Sequence, residues 1–298
     1  MNRRDCSVAL LVVALWGLNF PATAFALQQF PPILMAALRF TLIAIPALMF
    51  VPRPRVSWKL VVAIGATLGI VQFSFLYAGI AAGMPAGLAS VVIQASAPLT
   101  IVFAAVGLRE RLSPWQAVGV GVSVVGLAAV VLRQGMVSAV LPTILVLCGA
   151  AGWALGNVAT RVAAASDAFR LTMWWSVVPP IPLALLSWAI EGSERIGASF
   201  ATIVTPEAVL PVLGLLYVVG FSSVVAYALW ASLLGRHPSS RVAPFSMLVP
   251  VVGMLSSWLV LGEVPHPFDL SAGALVIAGV LWASRSPGLP PSLAAVRP

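Results

Sequence analysis

The sequence predicts an all-α membrane protein in which ten transmembrane helices form two inverted-topology five-helix repeats around a central cavity. Three observations lead to this prediction: the composition, a series of long apolar runs, and the placement of charge. Of the 298 residues, 61% are hydrophobic and only 8% are charged, whereas soluble domains carry about 25% charged residues. A chain of this length with so little charge cannot cover a water-exposed surface, so the lipid bilayer is expected to surround most of it.

The apolar runs are broken by proline, glycine or charged residues, and ten of them approach the ~20 residues that cross a bilayer. The ten predicted spans are Cys6–Leu27, Pro32–Val51, Lys59–Ile80, Pro85–Gly107, Trp115–Leu132, Ala139–Thr160, Phe169–Ile190, Ala208–Leu234, Val242–Gly262 and Phe268–Ser284. The first span is longer than the apolar core of about 7–15 residues in a signal peptide. We therefore interpret it as a retained helix.

The net charge of +8 would suggest nucleic-acid binding in a soluble protein, but here the basic residues lie at alternate helix ends. If the amino terminus is cytoplasmic, 13 of the 16 Lys and Arg lie on that side. They are Arg3, Arg4, Arg53, Arg55, Lys59, Arg109, Arg111, Arg161, Arg170, Arg236, Arg241, Arg285 and Arg297. The opposite side has Arg133, Arg195, Glu191, Glu194, Glu207, Glu263 and Asp269. This positive-inside pattern predicts a multi-pass inner-membrane protein with both termini cytoplasmic and no nucleic-acid partner.

An internal repeat supports the division into two halves. The stretch LRERLSP at 108–114 resembles LGEVPHP at 261–267, and at the offset of 153 Gly126 also corresponds to Gly279. Pro98 and Pro250 miss that register by one residue. We predict a first five-helix repeat over 1–135, a second over 136–286, and a disordered cytoplasmic tail over 287–298. Because five is odd, the two copies enter the membrane in opposite senses, as in many secondary transporters.

Polar and aromatic side chains at membrane depth are the candidates for a transport path, because polar groups are costly in lipid. The predicted substrate-binding residues are Trp16, Asn19, Arg39, Gln72, Tyr77, Gln94, Trp153, Asn157, Tyr227 and Trp230. The alternative for Asn19 and Asn157 is a hydrogen bond to a neighbouring helix. The alternative for the tryptophans is a purely structural place in the core.

Arg39 lies about two turns inside the second span, or roughly 10 Å from its start. Its long side chain can extend to the lipid headgroups or pair with a structural partner. It can also bind a substrate carboxylate, whose geometry the guanidinium matches. The sequence alone leaves these alternatives open.

Several other classes of protein are disfavoured. We expect no catalytic residues, because no cluster of His, Asp or Glu lies at membrane depth. Both histidines lie in predicted loops, so we expect no metal site, and no Gly-Lys-Ser motif indicates an ATP-driven motor. We expect no cofactor and a monomer. A channel is disfavoured as well, because it would need a continuous polar pore lining and the polar residues at membrane depth are too few. All eight acids fall in loops or at helix ends, which predicts facilitative rather than proton-coupled transport.

Four segments give the chain a family resemblance: ALLVVALWGLNF at 9–20, PPILMAALRF at 31–40, GMPAGLAS at 83–90 and RVAPFSMLVPVVG at 241–253. With the ten spans, they resemble the EamA-type branch of the drug/metabolite transporter superfamily, in particular its bacterial exporters of the O-acetylserine/cysteine type, which are related to aromatic amino acid exporters. The resemblance extends to about Ser286. It implies an exporter of small amino-acid-type metabolites that works by alternating access.

The alternative within the superfamily is a proton-coupled exporter of drugs or other small metabolites. The small four-helix multidrug relatives carry a membrane-embedded glutamate in their first helix. This chain has no acid between Cys6 and Leu27, which is a departure from that pattern.

Overall fold

The structure, a computed structural model, describes residues 1–109, 112–137, 140–237 and 239–284. Ten helical spans run between two ends of a bundle. They are helix 1 (Arg3–Gln29), helix 2 (Pro32–Phe50), helix 3 (Trp58–Ala81), helix 4 (Ala86–Gly107), helix 5 (Pro114–Val137), helix 6 (Leu141–Ala163), helix 7 (Ala168–Glu191), helix 8 (Pro206–Arg236), helix 9 (Pro244–Leu261) and helix 10 (Pro267–Ser284). Within the described residues, nine are long and apolar enough to cross a membrane, and helix 10 is a shorter apolar helix.

The predicted fold class is thereby confirmed, and the boundaries differ by a few residues. Proline begins several helices, as at Pro32, because it has no N–H to leave unbonded in a first turn. The predicted loop between helices 7 and 8 contains a short helix, Ser193–Ala201. The predicted tail over 287–298 lies outside the described residues. We call the end of the bundle that carries the amino terminus the N-face, and the opposite end the far face.

Local irregularities recur in the two halves at the offset of 153. Helix 3 is π-helical over Gly65–Val71 and helix 8 over Val218–Val225, so the two segments begin 153 residues apart. A 3₁₀ turn interrupts helix 4 at Ile93–Ala95. The equivalent positions, 246–248, fall where the helical stretch Ser239–Ser246 gives way to Val249–Leu261. Uninterrupted π-helix is rare, so its recurrence supports the duplication.

Helices 5 and 10 pack against each other as a pseudo-symmetric pair. Gly126 lies against Ala272 and Val276 of helix 10, and Gly279 lies against Gly119 and Ser123 of helix 5. Ser123 and Val276, themselves 153 residues apart, are joined by a hydrogen bond of 3.3 Å from the Ser123 hydroxyl to the Val276 carbonyl. Reciprocal contacts of this kind are what a two-fold axis produces. The repeat boundaries at 135 and 136 remain a prediction.

Buried acids tie helix ends together at both faces. At the N-face, Asp5 accepts hydrogen bonds from Arg236 at 2.7 Å and pairs with His237 at 2.8 Å. At the far face, Arg133 of helix 5 pairs with Asp269 of helix 10. Glu191 at the end of helix 7 accepts from the first backbone N–H groups of helix 2. Helix 1 packs between these ends against helices 8 and 9, so the two halves interlock.

Candidate functional site

Arg39 is buried in the interior of the bundle, with 4% of its surface exposed. It donates hydrogen bonds to the Tyr77 hydroxyl at 2.6 Å and the Ser223 hydroxyl at 2.9 Å. Its guanidinium carbon lies 4.0 Å from the centre of the Phe73 ring, a cation–π geometry. The side chain therefore turns inward, which rules out the alternative that it extends to the lipid headgroups in this conformation.

The Arg39 charge has no acidic partner among the residues that the structure describes. Its ion-pair distance to every described carboxylate exceeds 4.0 Å, and its Nε is buried without a hydrogen-bond partner. A guanidinium carries five N–H donors, and two are used here. A buried charge without a counter-ion costs several kcal/mol. Spare donors and a positive charge without a described counter-ion are the features that bind an anionic group.

A small cavity adjoins the guanidinium. It is lined by Arg39, Phe40, Ile43, Phe73, Thr172, Met173, Trp175, Ser176, Ser223 and Tyr227, and its volume is about 10 Å³. That space suffices for about one water molecule. The described conformation is therefore closed around the site, and a metabolite can enter only if the surrounding helices move apart.

The irregular segments of helices 7 and 8 position the cavity wall. In the π-helical segment of helix 8, the Ser223 hydroxyl donates to the Val218 carbonyl at 2.7 Å, which orients its oxygen to accept from Arg39. Helix 7 is broken between Trp175 and Pro180. Proline lacks the N–H that a continuous helix requires, and the break leaves Met173 and Trp175 buried against the cavity.

Five of the ten predicted site residues come together in one cluster. Tyr77 bonds to Arg39, and Tyr227 lines the same cavity. The Trp16 ring lies 5.5 Å from the Tyr227 ring and 5.1 Å from the Trp230 ring, measured between centroids. Trp16 also donates to the Ser222 carbonyl at 3.1 Å. It therefore supports the cavity wall through Tyr227.

The other five predicted residues lie away from the lining of this cavity. Asn157 of helix 6 donates to Thr100 of helix 4 at 3.2 Å, and the Gln72 backbone packs against Gly149 and Gly152 of helix 6. These contacts join helices. The remaining three also lie in the bundle: Asn19 and Gln94 are buried, Asn19 Oδ1 has no partner, and Trp153 is partly buried. A part for all five in binding remains a prediction.

Most of the cavity wall lies outside the predicted set. The additional lining residues are five apolar and three hydroxyl side chains: Phe40, Ile43, Phe73, Met173, Trp175, Thr172, Ser176 and Ser223. The phenylalanines and Ile43 look the same in sequence as any core residue. The Pro179–Pro180 pair was the available signal, because it marks an interrupted span, and interrupted spans often flank binding sites.

A second, larger depression lies at the far face, and we call it the vestibule. It has a volume of about 390 Å³ and is lined by Ala24, Leu27, Gln28, Ile80, Ala81, Gly83, Met84, Pro85 and Glu263. The Glu263 carboxylate accepts hydrogen bonds from the backbone N–H groups of Ala86 and Gly87, each at 2.9 Å. These N–H groups are at the start of helix 4, where a negative charge is stabilised.

Comparison with known proteins identifies the family. The EamA-like transporter family matches residues 5–132 and 141–285, which together span both halves of the bundle. The chain belongs to the EamA-like transporter family. This membership confirms the predicted resemblance and the class of transporter. Residues 133–140 lie between the two matched stretches.

Relatives of this EamA-like transporter extend over nearly its whole length. It is 38% identical over 286 residues to a probable amino-acid metabolite efflux pump of Salmonella typhimurium, with 94% of both chains covered. It is 38% identical over 290 residues to the protein of the same name in Escherichia coli. A probable terminal-alkyne amino-acid exporter of Streptantibioticus cattleyicolor is 27% identical over 286 residues, or 93% of this chain and 92% of the relative.

A solved structure supports the same fold. It superimposes with a TM-score of 0.63 at 20% sequence identity, and the match covers 95% of this chain and 97% of the other. At that identity the likeness concerns the fold alone.

Proposed function

We propose that this EamA-like transporter exports small amino-acid-type metabolites across the bacterial inner membrane by alternating access. The observation that carries the proposal is the buried Arg39 guanidinium, which has spare donors and no ion pair to a described carboxylate. A carboxylate is the group that every amino acid shares, and it matches the guanidinium fork. The names of the 38% identical relatives agree with this substrate class.

The cavity wall suits the rest of such a substrate. Phe40, Phe73 and Trp175 offer apolar faces for a side chain. The Thr172 and Ser176 hydroxyls donate to backbone carbonyls of helix 7, so their oxygens can accept hydrogen bonds from the substrate. Aromatic faces also attract an ammonium group. A few polar groups on an apolar wall are typical of small-molecule sites.

The closed cavity supports alternating access. At about 10 Å³ the cavity is too small for a metabolite, as expected of an occluded state, and the polar contacts at the N-face and far face join helix ends on both sides. Export then requires the contacts of one face to open at a time. The pseudo-symmetric packing of helices 5 and 10 offers an axis about which the two halves can rock.

We further propose that transport is facilitative and that both termini are cytoplasmic. Asp5, Glu191 and Asp269 are buried, but each lies at a helix end and bonds to a basic side chain or a helix N-terminus. Glu110, which we predicted to lie at a helix end, is outside the described residues. A high cytoplasmic concentration of substrate supplies the driving force, and a single chain contains the complete path.

The test is transport by purified protein in liposomes. Arg39→Gln is expected to raise the KM for an amino acid about 10- to 100-fold, because charge-assisted hydrogen bonds contribute about 1.5–3 kcal/mol and 1.4 kcal/mol corresponds to a factor of ten. Arg39→Lys should have an intermediate effect, since it keeps the charge but loses the fork. The methyl ester of the same amino acid should be insensitive to both substitutions.

The matched control is Arg195→Gln, which removes an exposed arginine of the short helix Ser193–Ala201 and should leave transport unchanged. An equal loss of transport for the amino acid and its ester in Arg39→Gln would contradict carboxylate recognition. Movement of organic cations in place of amino acids would favour the multidrug alternative. Uphill accumulation driven by a pH gradient, abolished by a protonophore, would rule out facilitative transport.

A further inference from the structure

We propose that the vestibule is a second substrate subsite, in which Glu263 binds the ammonium group of the substrate on its way to the far face. The inference rests on the proposed function and adds a second point of recognition to it. The central cavity would hold the carboxylate at Arg39, and the vestibule would hold the amine.

The vestibule has room for such a ligand. Its volume of about 390 Å³ falls in the ~300–1,000 Å³ range of small-molecule pockets, whereas the central cavity is closed. Its wall is mainly apolar, with side chains from the ends of helices 1 and 3 and the segment before helix 4. Glu263 is its charged residue, and it is partly exposed.

The Glu263 charge is available to a cation. It has no ion pair among the residues that the structure describes, in contrast to Asp5 and Asp269, which pair with arginines. Its two oxygens accept one backbone hydrogen bond each. A carboxylate has about four acceptor positions, so about half remain open while the cap on helix 4 persists.

One helix face connects the two sites. Tyr77 bonds to Arg39, and Ile80 and Ala81 of the vestibule wall lie three and four residues further along helix 3. Residues at these spacings share one face of a helix. The vestibule therefore lies about one turn, or about 5 Å along the axis, beyond the fully buried Tyr77.

Helix 1 repeats this connection from the other side. Trp16 contacts Tyr227 of the central cavity, and Phe20, Ala24 and Gln28 follow at intervals of four residues, so that each neighbours the next along the helix. Ala24 and Gln28 line the vestibule, and Phe20 is buried. Tyr77 on helix 3 and Phe20 on helix 1 are both buried, and in each helix they come before the residues that line the vestibule.

Arg39 and Glu263 carry opposite charges along the path, and a zwitterion has a group that matches each of them. A positive group lies deep in the path and a negative group at its far-face exit, and each lacks a described counter-ion. A substrate with both a carboxylate and an ammonium group can exchange the first contact for the second as it leaves. An N-acetylated analogue keeps only the contact with Arg39.

The test measures protection of a thiol in the vestibule. Cys6 and Cys148 are replaced by alanine, and Ala81→Cys places a thiol on the vestibule wall, where Ala81 is exposed. A membrane-impermeant maleimide is applied to protein in liposomes. A free amino acid should slow the labelling at least threefold, and its N-acetyl analogue should not. A thiol at Ala198→Cys, exposed on the short helix at the far face, should label at the same rate throughout.

Two glutamate variants provide the matched comparison. Glu263→Gln should abolish protection by the amino acid. Glu191→Gln removes the same charge from a carboxylate that caps helix 2 in the same way but lies outside the vestibule lining, and it should retain the protection. If the Glu263→Gln variant fails to fold, the protein that retains Glu263 still gives the comparison between the amino acid and its N-acetyl analogue.

The outcomes separate the two proposals. Equal protection by the amino acid and its N-acetyl analogue, or no protection by either while the liposomes transport the amino acid, would overturn the vestibule subsite and leave the proposed function intact. The absence of both protection and amino-acid transport would overturn both proposals.

Discussion

At the scale of single residues, Glu191 is a buried structural anion of the far face. It is 8% exposed and accepts hydrogen bonds from Ile33 N at 2.7 Å, Leu34 N at 2.9 Å and the Ser187 hydroxyl at 2.7 Å. Glu191→Ala leaves the first turn of helix 2 unbonded in the bundle. Since an unsatisfied buried polar group costs about 1–3 kcal/mol, we expect a clear drop in the thermal unfolding temperature in detergent.

The control is Glu194→Ala, three residues further on, where the side chain is exposed. Substitutions of this kind usually stay within about 0.5 kcal/mol. Equal unfolding temperatures for the two variants would show that Glu191 contributes nothing to the anchoring of helix 2.

The sequence indicates some of these residues and not their partners. Arg39 is identifiable because a charge at membrane depth is costly, and such residues usually pair with another group or line a substrate path. Ser223 is not, because a serine in an apolar helix is indistinguishable from a packing residue until the π-helical turn brings it to Arg39. Glu191 was predicted at a helix end, but its burial depends on the start of helix 2, which lies 157 residues away in the chain.

At the scale of helices, the pairing of helices 5 and 10 depends on glycines at their contact, and Gly126 and Gly279 are the pseudo-equivalent pair among them. A Cβ at Gly126 would lie 2.9 Å from the Ala272 carbonyl, and one at Gly279 would lie 2.6 Å from the Gly119 carbonyl. Both contacts are with backbone, which cannot turn aside. We expect Gly126→Ala and Gly279→Ala each to destabilise the protein by about 1–3 kcal/mol, as overpacking does, and by similar amounts because the sites are pseudo-equivalent.

Gly121 of helix 5 is the control, since a Cβ there meets no atom within 4 Å. Gly121→Ala should be neutral or stabilise by up to about 1 kcal/mol, because alanine favours helix more than glycine. Thermal unfolding of the three variants decides the matter. A large loss for only one of Gly126 and Gly279 would contradict the pseudo-two-fold packing.

Helix positions are predictable from this sequence, and their irregularities are not. The ten spans follow from the apolar runs and their charged or Pro- and Gly-rich breaks, since a bilayer imposes about 20 residues on each, and only helix 10 is shorter in the described residues. The π-helical segments leave no such mark: Gly65–Val71 and Val218–Val225 read as ordinary apolar helix. Gly65 of the first segment packs against Val178 of helix 7, and a contact of this kind exists only in the folded bundle.

At the scale of the whole molecule, helices 2 and 7 are joined at both ends of the bundle. The start of helix 2 is capped by Glu191 of helix 7, and the Val51 carbonyl after its end accepts a hydrogen bond from Trp174 near the start of helix 7. The inverted duplication was predictable because an odd number of spans per repeat leaves no other arrangement. The closed state was not, because a sequence pattern does not distinguish conformations of one fold.

The orientation of this bundle in the membrane is the last prediction. Arg53 follows helix 2 and Ser193 follows helix 7, so the 19 residues of helix 2 separate them by about 28 Å. The basic excess lies at the end with Arg53, which should therefore be cytoplasmic. In a cysteine-free background, an impermeant maleimide added to spheroplasts should label Ser193→Cys and spare Arg53→Cys. Permeabilisation should expose both thiols, which controls for reactivity, and the reverse pattern on intact spheroplasts would place the amino terminus outside and make the proposed direction of transport untenable.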